Sequence, residues 1–259
     1  MIIDFHTHGR LGKKLPFSAQ YLTWHFAQAK KAGLDAICMT EHYNCIHMEA
    51  TVDYMSTLAT EGDMCVTPEG LYVCMGLEID ALEGGHFLAI GNAHHIQAIY
   101  QQLQPFLQQG QHPSFDQLVT IVKSQPVLFG GAHPFRASNP ISYLSPTQLA
   151  ALDFLELNGK DTALSPHNQQ QVAQLANETG LPVIAGSDTH QAHQFGAIAT
   201  QFEKTITTIG ELQTAIDNRA YTLVHGPDGA QKVTTAKQIK SALKEIHRLG
   251  GDYVSILCE

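Results

Sequence analysis

The chain has 259 residues, 44% of them hydrophobic and 15% charged, which is enough apolar material for a full-sized core and excludes disorder for most of its length. Its 24 acidic residues against 15 Lys plus Arg give a formal charge of -9. That balance disfavours nucleic-acid polymers and anionic membranes as partners. Histidine is the anomaly: 15 are present, as many as Lys and Arg together, with no tag-like tract. Five Cys without a Cys-x-x-Cys spacing argue against a disulfide framework or a thiolate zinc site, and place the chain in the cytoplasm. Neither a leader-like start at Met1–His6 nor an apolar run near about 18 residues is present, so it reads as unprocessed and not membrane-spanning.

In chain order, Ile2 to Phe5 predicts a strand, and Leu22, Phe26 and Ala29 recur at helical spacing after Ser18 and before Gly33. A second strand at Ala36 to Met39 precedes Met48, Val52, Met55 and Ala59, again helical in spacing. Leu71 to Ile79 and Phe87 to Ile90 flank the turn-rich 82–85 and predict a hairpin. Ile96, Ile99, Tyr100 and Leu103 predict a helix stopped by Pro105, and Pro113-Ser114 opens another through Val122. Strands follow at Val127 to Phe129, Phe154 to Leu157 and Val183 to Ala185. Ser145-Pro146 and Ser165-Pro166 predict helix starts, and Gly180 with Pro182 closes the second of these helices. Ala197 to Ala199 and Tyr221 to Val224 add strands before a final amphipathic helix with Ile239, Ala242, Leu243 and Ile246. With no linker or repeat to divide it, the chain 1–259 is expected to form one α/β domain. The sheet is either a parallel barrel or an open doubly wound sheet. Neither a dinucleotide fingerprint nor a P-loop is present.

The histidines collect where strands end. His6 and His8 lie two apart and share a strand face. Glu41-His42, His133 and Asp188-Thr189-His190 follow later strands, and Glu78 and His86 flank the hairpin turn. Strand ends converge on one rim in either sheet, so these residues form one nitrogen- and oxygen-rich set. The set suits two or three divalent ions, with Mn, Fe or Zn favoured over Ca. A carboxylate such as Glu78 can bridge two ions, which makes hydrolysis the leading chemistry. Asp4 is expected to accept from an imidazole N–H, and Glu41 either to do the same or to serve as a substitute ligand. Asn158 is a turn residue or a substrate contact, Arg136 a surface cation or a phosphate clamp, and His193 a surface residue or a contact to ligand or substrate. The remaining histidines, His25 among them, read as core or surface residues.

The motifs Asp4-Phe5-His6-Thr7-His8, Thr40-Glu41-His42, Glu78, His86, Ala132-His133-Pro134-Phe135-Arg136 and Gly186-Ser187-Asp188-Thr189-His190 together resemble the PHP (polymerase and histidinol phosphatase) family along most of the chain. The resemblance implies a distorted, TIM-barrel-like (β/α)7 barrel with a metal centre that hydrolyses phosphoesters. It implies His6, His8, Glu78 and Asp188 at one metal, Glu78, His86 and His133 at a second, and His42 with His190 at part of a third. The segment 9–14 stands where family members carry an Asp or His completing that third site. Glu41 then compensates, or Arg10, Lys13 and Lys14 supply positive charge for a phosphate.

The expected reaction is hydrolysis of a small phosphomonoester, such as histidinol phosphate or a nucleotide or sugar phosphate, by a hydroxide bridging the metals. Asp188 or His190 would manage protons, and Arg136 would stabilise charge on the phosphoryl oxygens. The alternatives are hydrolysis of C–N or C–O bonds on the same fold and a non-catalytic, metal-stabilised binding module.

Overall fold

A computed structural model describes residues 1–258. The first half runs β1 (Ile2–Thr7), α1 (Ala19–Lys31), β2 (Ala36–His42), α2 (Met48–Ser56), β3 (Ala59–Glu61), β4 (Met64–Val66), β5 (Tyr72–Asp80), β6 (His86–Gly91), α3 (Ala93–Gln108) and α4 (Phe115–Val122). The second half runs β7 (Leu128–Gly131), α5 (Pro146–Leu149), β8 (Phe154–Asn158), α6 (Gly159–Leu164), α7 (Asn168–Thr179), β9 (Val183–Gly186), β10 (Ile198–Phe202), α8 (Ile209–Asp217), β11 (Tyr221–His225), α9 (Gly229–Arg248) and α10 (Tyr253–Leu257).

The strands form one sheet in the order β11-β10-β1-β2-β5-β6-β7-β8-β9, with the β3–β4 hairpin attached to β5. Its ends come back together. Thr7 bridges Thr189 in parallel, His8 N donates to Thr189 O at 2.8 Å, and Asp188 N donates to His6 O at 2.8 Å. The sheet is therefore a nearly closed barrel of β1, β2, β5, β6, β7, β8 and β9, as the (β/α)7 expectation requires. The β10–β11 hairpin extends β1 outside the ring. Six barrel strands are parallel and β6 alone is reversed, because a hairpin rather than a helical crossover joins it to β5. That reversal places the start of β6 on the rim where the other strands end.

Alternation along the strands divides the apolar residues. Ile37, Met39, Val73, Met75 and Phe129 face an outer layer with Leu22, Phe26, Ile99 and Leu118 of the helices. Phe5, Cys38, Cys74, Leu88, Phe154 and Ile184 fill the interior. Relative to β2, β1 holds an extra residue between Asp4 and Thr7, a β-bulge. Phe5 thus packs into the barrel against Phe154, while His6 and His8 beyond the bulge also reach inward.

Three predicted helix boundaries differ from the structure: α2 ends at Ser56, so that Ala59 begins β3 instead of continuing the helix. Pro105 lies inside α3 rather than ending it, since its ring removes a donor only from the exposed Gln101 turn near the helix end. Ser165 closes α6, and α7 starts at Asn168 after the Pro166 turn. Ser145-Pro146 and Gly180 act as expected, as N-cap with Pro at the first position and as a left-handed C-cap with φ 74°. No helix among the described residues is long and apolar enough to cross a membrane.

Candidate metal centre

Glu78, near the end of β5, is buried at the centre of a ring of five imidazoles drawn from four segments. One carboxylate oxygen, Oε2, faces His42 Nδ1 at 2.9 Å, His8 Nε2 at 3.4 Å and His6 Nε2 at 3.5 Å. The other, Oε1, faces His86 Nδ1 and lies 3.2 Å from His133 Nε2. Burial works against its charge, but His42, His6 and His86 outweigh it and hold the carboxyl well below the usual range. Three groups of ligand atoms come within 4.8 Å of one another: His6, His8 and Asp188; Glu78, His86 and His133; and His8, His42 and His190.

The donor set fits divalent cations on a specific observation. His6 Nε2, His8 Nε2, His42 Nδ1, His133 Nδ1 and Glu78 Oε2 are buried and lack hydrogen-bond partners. So many orphaned ligand atoms in one place would be costly in a finished hydrogen-bonded network, whereas a cation would satisfy them together. Backbone strain falls at the same point: His133 and Asp188 are non-glycine residues with φ 30° and 55°. Gly186 is obligatory here, because a Cβ would stand 2.5 Å from Glu156 Oε1 and from His6 Cβ.

A second group of side chains fixes the imidazoles. His8 Nδ1 lies 3.3 Å from Glu41 Oε1, so Glu41 orients His8. Glu156, which the sequence reading missed, is fully buried on β8; its Oε1 holds His6 Nδ1 at 2.9 Å and its Oε2 accepts from His133 N at 2.9 Å. Its only sequence signal was a carboxylate inside the apolar run of β8. Asp80, also missed, lies 3.1 Å from His86 Nε2. Burial opposes its ionisation, and His86, with a smaller contribution from Lys13, outweighs burial and lowers its pKa. Lys13 is half-buried and Lys14 exposed.

Asp188 Oδ1 meets His8 Nε2 and His190 Nδ1, each at 3.3 Å. Its Oδ2 is held by Arg136 Nη1 at 2.8 Å and by Lys160 Nζ at 3.0 Å. Burial is again overcome, here by Lys160 and Arg136, and the carboxyl stays well below its normal range. Burial, with His8 and Lys240 nearby, keeps His190 neutral at ordinary pH. Lys160 was not anticipated, although it follows the end of β8 directly.

Several expectations require correction. Asp4 binds no imidazole, because the bulge separates it from the histidine rings. It accepts from Ser187 N at 2.9 Å, Ser187 Oγ and His6 N, and so pins the β1–β9 seam; burial pushes its pKa up to about 7. Arg10 offers nothing to a phosphate, since its guanidinium donates to Ile46 O, His47 O and Thr51 Oγ1 beneath the rim. Arg136 is no free clamp: Nε and Nη2 bind Asp161 while Nη1 binds Asp188. Asn158 makes no contact toward the histidines, because it caps α6 and donates to Glu156. His193 is exposed in the turn 192–194 and faces Trp24 and Lys31 instead of the centre.

A cavity of about 370 Å³ opens on Asp188 and His190 and is walled by Lys160, Gln191, Gln194 and α9. A larger cavity of about 630 Å³ lies over α8 and 202–206, away from every residue of the centre, and has no clustered histidine.

Residues 166–221 match the family described as PHP-associated. Among solved structures, PsfC from Pseudomonas syringae is similar over 93% of this chain and 98% of its own, at 18% identity and a TM-score of 0.75. The family match is confined to that segment, and the likeness to PsfC shows the fold. A two-domain protein of Bacteroides vulgatus, described as containing a predicted PHP-like metal-dependent phosphoesterase, is similar at 18% identity and a TM-score of 0.58 over 91% of this chain and 69% of that one. A lesion-specific endonuclease of Pyrococcus furiosus is also similar, at 16% identity and a TM-score of 0.62, over 86% of this chain but 57% of the endonuclease. At such identities the likeness shows the fold. No curated protein sequence matches the chain.

Proposed function

We propose that this PHP domain, spanning 1–259, is a metal-dependent phosphatase acting on a small phosphomonoester. The observation that supports it most is the two-sided placement of Glu78, one oxygen toward His6, His8 and His42 and the other toward His86 and His133. His6, His8 and Asp188 would hold one divalent ion, Glu78, His86 and His133 another, with Glu78 between them, and His42 with His190, beside His8, would supply part of a third. Mn, Zn and Fe all suit these ligands. Such ions, when bound, supply hydroxide near neutral pH and offset charge on phosphoryl oxygens.

The chain's own residues then divide the work. Glu156, Glu41 and Asp80 hold His6, His8 and His86 in their ligating orientation. Arg136 and Lys160 keep Asp188 ionised and fixed, so Arg136 is a positioning residue. His190, kept neutral beside Asp188, has one nitrogen left, for an ion at the third place or for a proton in transit but not for both. The formal charge of -9 and the cavity of about 370 Å³ favour a small substrate over a polymer. The similarity to an endonuclease keeps a nucleic-acid phosphodiester as the second reading.

The test is phosphate release by Mn-loaded protein from sugar, nucleotide and amino-alcohol monophosphates, beside an abasic-site duplex, a chelated sample and the His8→Ala variant. Release from a monophosphate that is lost in both controls supports the proposal. Cleavage of the duplex alone favours the second reading, and no turnover on either overturns both.

A further inference from the structure

Helix α9 packs on the barrel rim through Val233, Ala236 and Leu243, all buried. On a helical wheel Lys240 falls between Val233 and the other two buried residues, inside the face that α9 turns to the rim, while Lys244 and Lys237, about 20° and about 40° beyond Val233 and both exposed, flank that face. An amphipathic helix ordinarily places apolar side chains there. Lys240 is half-buried, and Lys244 Nζ would lie 2.9 Å from a Cβ on Gly12, which sets it over the loop that follows His8. Lys237, Lys240 and Lys244 line the cavity of about 370 Å³ together with Lys160, Asp188 and His190.

These four are among the chain's eleven lysines, in a protein whose net charge is -9. Lys160 is paired with Asp188, but among the described residues the three lysines of α9 have no carboxylate within 4.0 Å. Like charges gathered along one cavity wall repel one another, and an anion seated among them relieves that repulsion. The hydroxyl and amide groups of Thr234, Ser241, Gln191 and Gln194 complete the wall with further donors. Phosphate at the metal centre would occupy the Asp188–His190 end of this cavity, leaving the lysine end for the rest of the molecule.

Resting on the phosphatase reading, we propose that Lys237, Lys240 and Lys244 form a subsite for a second anionic group of the substrate, a phosphate or a carboxylate at the end remote from the scissile ester. The substrate is thus a small doubly anionic phosphoester, and α9 is its specificity element. Lys160 reaches both ends, since it touches Asp188 and lines the same cavity.

The test compares propyl phosphate with its ω-carboxylate and ω-phosphate analogues as substrates. It also measures by calorimetry how metal-loaded protein binds propylphosphonate and the non-hydrolysable propane-1,3-bisphosphonate. Wild type should prefer a doubly anionic substrate in kcat/KM, and the bisphosphonate in Kd, by about tenfold or more. The better of the two analogues identifies the second anion. Lys240→Gln and the combined Lys237→Gln/Lys244→Gln should remove most of that preference, leave propylphosphonate binding within about twofold, and act on KM rather than kcat. Lys240→Arg should retain the preference. Equal binding of the two phosphonates by wild type, or a preference that survives all three Gln substitutions, overturns the subsite. Turnover of propyl phosphate without any preference sinks the subsite and spares the phosphatase reading. A lysine-dependent bisphosphonate preference with no turnover of any ester does the reverse.

Discussion

The ring around Glu78 and the corner at Asp188 Oδ2 sit side by side on one rim, yet they are finished differently. Around Glu78, buried nitrogens of His6, His8, His42 and His133 and one carboxylate oxygen lack hydrogen-bond partners. At Asp188, Arg136 and Lys160 satisfy the outer oxygen, and Asp161 and Asn158 satisfy Arg136. The first region is arranged to receive cations. The second is arranged to keep one carboxylate charged and still. Chelation and substitution should therefore act unequally on the two.

The largest effect is expected at the ring. Glu78→Gln keeps the shape but removes the charge shared by both sides, and phosphate release should fall by roughly a thousandfold, the upper range for losing one preorganised electrostatic group. Steady-state assays on metal-reconstituted protein check this; a loss below tenfold would remove Glu78 from the centre. Next comes Glu156→Gln, which frees His6 Nδ1 and His133 N without touching any expected ion. Metal affinity should weaken by about 10- to 100-fold, measured by competition with a chromophoric chelator, while the circular dichroism spectrum stays unchanged.

Chelation should lower Tm by about 5 to 10 °C in wild type, because ions that bind only the folded chain stabilise it. In Arg136→Ala most of that drop should persist, since Arg136 supports Asp188, one ligand of one expected ion, and touches none of the imidazoles. A drop that disappears with Arg136 would merge the two regions into one.

Behind His8 and Glu41, His25 tests burial as the leading cause of a shift. It packs on Tyr21 and Phe195, and burial pushes its pKa down to about 3 from the ordinary 6.5. The unfolded chain then binds a proton below pH 6.5 that the folded chain refuses until about pH 3, so stability falls as pH drops through that window. The loss should reach a few kcal/mol. Urea titrations from pH 7 to pH 4 should show a shallower acid limb in His25→Phe than in wild type; parallel limbs would contradict the assignment. The smallest effect is expected for His193→Ala, within about 0.5 kcal/mol in stability and without loss of activity, because His193 is exposed on the opposite side of the 192–194 turn.

Legibility in the sequence followed the range of the interactions. The His and carboxylate groups at strand ends were readable because period-two alternation and convergence of strand ends are local or topological rules, and the reversed β6 brings His86 to the rim through a hairpin visible in 82–85. Glu156 was not readable, because its meaning lies in His6, 150 positions away. Arg10 misled for the opposite reason: a basic residue two after His8 looks like an anion contact, and only the carbonyls of Ile46 and His47 show where its guanidinium is spent. Asp4 misled because a one-residue bulge breaks the alternation on which its reading relied. The β3–β4 hairpin escaped notice because strands of three residues are too short to carry a period.

The most direct test of the central claim is metal stoichiometry by inductively coupled plasma mass spectrometry, on wild type and Glu78→Gln after reconstitution with Mn and removal of free ion. The account predicts at least two ions per wild-type chain and fewer in Glu78→Gln, with that variant still folded. A wild-type chain that retains none, or a Glu78→Gln chain that retains the same number, would contradict it.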